Sequence, residues 1–308
     1  MADGGEGTME TISSLLGGKY ISTTACDPLG RKRETKYLQL PDRETAVIES
    51  AETCGLTLLS KEERNPMRTT SAGLGEQIKA AYGNGIKNFI IGLGGSATCD
   101  AGKGMLSVFS TEWLLRLQNC TFTILCDVEN PLCGADGAAA VFAPQKGASP
   151  EEVKILEDDL YQFALSYGKE QAFFAKTGAA GGLGYAFLTF FHANLLSGIN
   201  YLLNLSQFDS LVKDVDLIIT AEGCSDLQTL SGKVPFGILQ KAKKVNVPVV
   251  VLAGAIKNKN ELLSAGFADV VCINQEQANH PLLMQTAYTK HRLYMCAKNL
   301  DIERYIQQ

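Results

Sequence analysis

Two carboxylates, several hydroxyls and a lysine fall in one short segment, Glu222-Gly223-Cys224-Ser225-Asp226-Leu227-Gln228-Thr229-Leu230-Ser231-Gly232-Lys233. Phosphoryl transfer to an alcohol needs such a set: carboxylates to hold Mg²⁺ or take the hydroxyl proton, and a cation to offset charge on the transferred group. An ordinary solvated loop is the plain alternative. A second candidate runs from Gly92 through Gly94, Gly95, Ser96, Thr98 and Asp100 to Gly102. Adjacent glycines let backbone N–H groups approach an anion, and Ser96 and Thr98 add hydroxyl donors. A ligand-free strand-to-helix turn competes with that reading, although such a turn does not need Asp100 beside two hydroxyls. Gly92, Gly94 and Ala97 match G-x-G-x-x-A, but no acidic residue ends a second strand at the distance ribose binding requires. Gly102-Lys103 lacks the rest of a Walker A loop. A nicotinamide-dependent oxidoreductase therefore rests on a partial fingerprint alone.

Three further loops carry related chemistry. Asp127, in Cys126-Asp127-Val128-Glu129-Asn130-Pro131, leaves the end of an apolar run, a natural place for a Mg²⁺ ligand and equally for a cap or turn residue. Gly178, Gly181, Gly182 and Gly184 precede a helical pattern, where they either turn a helix N-terminus toward a phosphate or carboxylate or let two elements pack closely. The N-terminal stretch, Met1-Ala2-Asp3-Gly4-Gly5-Glu6, is acidic and glycine-rich and has no signal-peptide pattern.

The elements that must position these loops follow from periodicity and punctuation. Lys19-Thr24, Thr35-Leu40 and Thr45-Ser50 read as strands separated by the turns Asp27-Pro28-Leu29-Gly30 and Pro41-Asp42, an antiparallel set. A helix over Glu76-Tyr82 stops at Gly83-Asn84-Gly85 and is followed by the strand Phe89-Leu93. Phe122-Cys126 is a strand, Pro150-Tyr167 a helix capped by Ser149, and Gly184-Asn194 a buried helix. Val215-Thr220, Val247-Leu252 and Val270-Ile273 are strands, with a helix over Val234-Val245 between the first two. Strand, helix, strand implies a parallel sheet with ligands at the carboxyl ends of its strands.

Composition narrows the function classes. The 308 residues are 45% hydrophobic and 20% charged, enough for a sizeable core and about two domains. A net charge of −5 leaves no basic field for nucleic acid or an anionic membrane, so a small molecule is the expected partner. The apolar stretch Ala179 to Leu196 is interrupted by glycine, histidine and asparagine and reads as a buried helix, not a membrane span. Nine cysteines stand singly without a C-x-x-C pair, and there are three histidines. That arrangement argues against zinc and disulfide frameworks and for a reducing cytoplasm.

Taken in order, Asp3-Gly4-Gly5-Glu6-Gly7-Thr8, Arg64-Asn65-Pro66, Thr69-Thr70-Ser71, Gly94-Gly95-Ser96-Ala97-Thr98, Cys126-Asp127-Val128 with Asn130-Pro131, Pro144-Gln145-Lys146-Gly147-Ala148, Gly178 to Gly184 and Asp226 to Lys233 closely resemble the bacterial glycerate kinase family, type I. The blocks run over nearly the whole chain. The resemblance implies a two-domain α/β enzyme that uses ATP and Mg²⁺ to phosphorylate D-glycerate in a cleft between domains. It also implies a Rossmann-like domain with a parallel sheet formed from residues 1–16 with 214–308, incomplete at its N-terminus. A second mixed α/β domain, 17–213, is inserted between them.

Two departures stand out. Family members usually begin further upstream, with a strand, a Pro-Asp-Ser-Phe-Lys-like loop and a helix, and they usually carry arginine where this chain has Cys224. Arginine is a permanently charged bidentate partner for carboxylate or phosphate, and losing one such contact costs on the order of 2–5 kcal/mol. The rival expectation is therefore a truncated or degenerate homologue that binds small anions without catalysis.

From residue chemistry and loop placement, Asp100, Glu222 and Asp226 are candidates for base and Mg²⁺ work, with Asp127 a further metal candidate, and Lys233 for offsetting phosphate charge. Gly94, Gly95, Ser96, Thr98, Gly181 and Gly182 are candidates for cradling anionic oxygens, Arg64 or Arg68 for the glycerate carboxylate, and Asp3, Glu6 and Thr229 for substrate or phosphate binding. An oligomer is left open.

Overall fold

The computed structural model describes residues 2–230, 232–274, 283 and 285–306, and the chain divides into two compact units, residues 1–202 and 203–308. In the first, strands β1 (Lys19–Cys26), β2 (Lys32–Gln39), β3 (Thr45–Glu49), β4 (Asn88–Gly92), β5 (Thr121–Leu125) and β6 (Asn194–Leu196) lie side by side in that order. β1, β2 and β3 are antiparallel neighbours, and β3 through β6 are parallel. Chain direction changes character at β3 because short turns join the first three strands, whereas helical crossovers join the rest.

The parallel strands are apolar on both faces, as strands covered by helices must be. Phe89 of β4 stacks on Phe122 of β5 at 4.9 Å, and Phe122 in turn meets Phe187 and Phe191 of the helix Ala179–Phe191. The helix Ala72–Gly83 contributes Leu74 and Ile78 to the same core. The helix expected over Gly184-Asn194 follows positive φ angles at Ala180, Gly181 and Gly182, so its regular part starts at Leu183, and it ends at Phe191. His192 takes the left-handed conformation, and the remainder becomes β6.

The helix Pro150–Tyr167 has the cap read from sequence. Ser149 Oγ accepts from the backbone N–H of Glu152, and Glu152 accepts from the N–H of Ser149, a reciprocal capping box.

In the second unit, β7 (Ile218–Ser225), β8 (Val249–Ile256) and β9 (Asp269–Cys272) form a parallel sheet in sequential order. The helices Val234–Ala242 and Lys259–Ser264 make the two crossovers. Val250, Leu252, Ile273 and Tyr305 form its buried centre.

The compact division differs from the sequence expectation that groups residues 1–16 with 214–308. The helix Thr8–Leu16 packs on β3, and the Met9 N–H donates to the Glu49 carboxylate at the carboxyl end of that strand, 2.7 Å away. These contacts tie the helix Thr8–Leu16 to the first unit. Among the described residues no helix is long and apolar enough to cross a membrane.

Candidate active site

In the first unit the carboxyl ends of β3, β4, β5 and β6 are extended by further ladder bonds. The N–H of Ser50 reaches the Gly92 carbonyl, that of Leu93 the Leu125 carbonyl, and that of Cys126 the Leu196 carbonyl. The N-terminal loop Asp3–Thr8 lies directly on these ends. Gly94 N–H donates to the Gly4 carbonyl at 3.1 Å, and the two segments approach so closely that only glycine fits at positions 4 and 94. A Cβ on Gly94 would sit 2.4 Å from Gly5 Cα. One on Gly4, whose φ is +97°, would sit 2.8 Å from the Leu125 carbonyl oxygen. Asp3 lies along the same edge, its carbonyl against Gly198, and the exposed Glu6 carboxylate borders Gly95.

Asp127, at the end of β5, is mostly buried here. Ser197 Oγ donates to one of its oxygens at 2.7 Å and the Ile199 N–H to the other at 3.1 Å, so it caps the helix Gly198–Leu205. Burial pushes its carboxyl up to about 6, with the nearby charge of Asp3 adding to the rise and the bonds from Ser197 and Ile199 opposing it. Of the two roles left open by sequence, the cap is the one its bonds describe. Glu49 is the carboxylate that sequence reasoning missed. Its pKa is raised, chiefly by desolvation, and its oxygen receives the Met9 N–H that starts the first helix. A glutamate closing an otherwise apolar strand, Thr45-Ala46-Val47-Ile48-Glu49, was the available signal.

The Gly94–Asp100 segment has an inner support. Lys146 Nζ donates to Ser96 Oγ at 3.0 Å and to the Thr98 carbonyl at 2.7 Å, while Thr98 Oγ1 is buried without a hydrogen-bond partner. Asp100 is committed to its own loop: it accepts from Ser71 N and Oγ and from the N–H groups of Gly102 and Gly104, all within 3.0 Å. Those four donors make it the brace that shapes the loop. Gly181 and Gly182 sit at φ +68° and +96°, where a Cβ would fall 2.0 Å from the Thr98 carbonyl oxygen and 2.7 Å from Ala101 Cα. Their observed work is the close packing of the helix entry on the 98–101 segment, the second of the two readings. The Arg64 backbone packs against Gly147, next to Lys146, and Arg64 Nε is buried without a partner; Arg68 is exposed.

In the second unit Glu222 stands near the carboxyl end of β7. Ser225 Oγ and Thr229 Oγ1 each donate to its Oε1 at 2.7 Å. Thr229, fully buried, also accepts from the Asp226 N–H at 3.1 Å, and Asp226 Oδ1 accepts from Gln228 N–H at 2.9 Å. Sequence placed these residues in one loop; the structure joins Glu222, Asp226 and Thr229 in one hydrogen-bonded cluster. Lys233 stands apart from that cluster's bonds as the residue that opens the helix Val234–Ala242. Cys224 is half-buried on β7, opposite Ala255. Among the described residues no three potential metal ligands gather into a cage. Glu222, on β7, and Asp226, just past its end, are hard oxygen donors, a set that suits Mg²⁺, which takes one or two carboxylates and fills its shell with phosphate oxygens and water.

Parallel strands with acid-bearing, glycine-laced loops at their carboxyl ends are where α/β proteins bind small molecules. Comparison with known proteins makes the class specific. The model of the glycerate kinase family matches residues 1–115 and 110–301, and the chain belongs to that family of phosphotransferases. It is 39% identical over 293 residues to a glycerate kinase of Haemophilus influenzae, covering 85% of this chain and 78% of that one. It is 36% identical over 286 residues to the glycerate 2-kinase of Escherichia coli, covering 83% and 75%. A crystal structure assigned to glycerate kinase 2 of Salmonella typhimurium LT2 aligns over 97% of this chain and 89% of that one, with a TM-score of 0.72 at 32% identity.

Proposed function

We propose that this chain phosphorylates D-glycerate to phosphoglycerate, with ATP as donor and Mg²⁺ as the accompanying cation. The observation that carries the reading is the Glu222–Ser225–Thr229 cluster beside Asp226 at the end of β7, in a chain of the glycerate kinase family. Both hydroxyls turn toward Oε1 of Glu222 and so hold the carboxylate in one orientation. A carboxylate held this way binds a cation or accepts a substrate hydroxyl proton without first reorganising. Glu222 and Asp226 would hold Mg²⁺, which when bound supplies positive charge to the oxygens of the transferring phosphoryl group. Lys233 adds a cation in the same segment. In the first unit, the Gly94-Gly95-Ser96 turn with Asp3 and Glu6 beside it is assigned to substrate or phosphate oxygens, and Arg64 to the glycerate carboxylate.

Nine free cysteines, six of them buried, accord with a reducing compartment, and we place the enzyme in the cytoplasm. A coupled assay of ADP release tests the function: release requires both D-glycerate and Mg²⁺. ADP formation indifferent to glycerate, or none at all, refutes it. Glu222→Gln and Asp226→Asn should each lower kcat about 100-fold or more, and unchanged turnover in either variant removes that residue from the site.

A further inference from the structure

The loop that carries Ser96 and Thr98 is folded around a cation. Lys146 is only 3% exposed, and its ammonium donates to Ser96 Oγ at 3.0 Å and to the Thr98 carbonyl at 2.7 Å. A buried ammonium costs several kcal/mol unless it is well hydrogen-bonded or paired. The titratable groups that face it are Cys99, Asp100 and Cys54. Asp100 is the carboxylate among them, and its oxygens already accept from Ser71, Gly102 and Gly104. Burial accordingly pushes the Lys146 ammonium down to about 8. An apolar side chain would fill this space without the desolvation cost.

The chain around the lysine is shaped to deliver it there. Lys146 ends the single turn Pro144–Lys146, and Gly147 follows at φ +102°. A Cβ on Gly147 would lie 2.2 Å from the Arg64 carbonyl oxygen. The lysine therefore enters through a turn that closes on the Arg64 segment, with Ser96 and Thr98 at its tip.

An ammonium has donors and no acceptor, so Ser96 Oγ must accept from it. The Ser96 hydroxyl proton is then directed to another acceptor. We propose that Lys146 is a positioning residue of the phosphotransfer reaction: by donating to Ser96 and Thr98 it fixes the Gly94–Thr98 loop and keeps the Ser96 hydroxyl proton available to an anionic oxygen of D-glycerate. The inference rests on the reading of this loop as substrate-facing. Glycerate is the expected recipient because Arg64, assigned to its carboxylate, packs on the same turn. Once Lys146 loses its proton it can accept as well as donate, and the polarity of Ser96 is no longer set.

The test measures kcat and KM for D-glycerate between pH 6.5 and 9.5 in the wild type, Lys146→Met and Ser96→Ala, and the thermal stability of each ligand-free protein over the same range and up to pH 10.5. In the wild type, KM for glycerate should rise about tenfold, the value of one charged hydrogen bond, as pH passes through about 8. Lys146→Met should show the raised KM already at pH 7 with a flat profile, and kcat should change far less. Ser96→Ala, which leaves the cation in place, should show the same raised and flat KM, and it keeps the test decisive if Lys146→Met does not fold. A lysine whose folded pKa is depressed adds stability above its unfolded pKa and loses it as pH falls through the folded value. The wild type should therefore gain stability relative to Lys146→Met between about pH 8 and 10.5.

An active wild type whose glycerate KM and pH profile are matched by either variant overturns the positioning role. A wild type inactive with glycerate refutes the proposed function instead. The stability curves then still show whether a buried ammonium sits at this loop.

Discussion

The strand ends of the first unit and the loop after β7 in the second are held by different forces. In the first unit the N-terminal loop meets the strand ends backbone to backbone, Gly4 and Gly5 lying on Gly92 and Gly94 at distances that leave no room for a methyl group on either of the latter, with side-chain bonds such as Ser197 to Asp127 alongside. In the second, side chains hold one another through hydroxyl-to-carboxylate bonds, two of them converging on Glu222 Oε1. A surface built by close approach is sensitive to a single added carbon and indifferent to the identity of distant polar groups. One built by side-chain bonds tolerates shape changes nearby but not the loss of a donor. The first suits a site that must present a fixed main-chain contour, the second a site that must hold a charge in one orientation.

The sharpest break in that contrast is Gly94→Ala. Its Cβ would meet Gly5 Cα at 2.4 Å with backbone on both sides, so the N-terminal loop must lift from the strand ends. We expect a loss of about 3 kcal/mol in urea unfolding and near-complete loss of turnover. Normal stability and activity would show that the loop is not needed where it lies.

Thr229→Val probes the other region at nearly constant volume. It removes the bond to Glu222 and leaves the Asp226 N–H without its acceptor, at a cost of about 2 kcal/mol. Turnover should fall by more than stability alone explains, because the Glu222 carboxylate loses one of its two tethers.

A smaller effect is expected at Asp127, whose raised pKa makes it pH-dependent. A carboxyl with a folded pKa of about 6 and an ordinary unfolded value binds more protons in the folded state between the two. Its contribution is fully present below the unfolded value and lost as pH rises through about 6. Relative to Asp127→Asn, the wild type should therefore become more stable as pH falls from about 6 to 4. A pH-independent difference would show that the carboxylate is not buried as described.

Ser149→Ala gives the smallest change. Loss of the capping box should cost about 1 kcal/mol and leave kcat unaltered. A change in kcat would link a remote cap to the site.

Much of this arrangement was legible in the sequence because periodicity and punctuation are local. The strands, the Ser149 cap and the strand-to-helix loops all follow from runs of neighbouring residues. Glu222, Asp226 and Thr229 stand close together in sequence, so their types could be read as a group, but residues 221–225, read as loop, continue strand β7 and put Glu222 on it. Partners distant in sequence were not legible. Nothing near Glu49 announces Met9, and nothing near Lys146 announces Ser96, because tertiary packing alone brings them together. Asp100 and the glycines at 181 and 182 show the converse. Their types suit anion chemistry, but neighbours from residues 71, 98 and 101–104 engage them in shaping the chain. Residues 1–16 carry little of their own to say which sheet they join; the glycine faces of Gly92 and Gly94 decide it.

The most direct test of the account is phosphorus-31 NMR of a mixture of this protein, ATP, Mg²⁺ and D-glycerate. The prediction is a new phosphomonoester resonance from phosphoglycerate, growing in step with ADP and absent when glycerate is left out; its shift also identifies the hydroxyl that was phosphorylated. ATP that stays intact, or that yields only inorganic phosphate, would contradict the assignment of phosphotransfer to this chain.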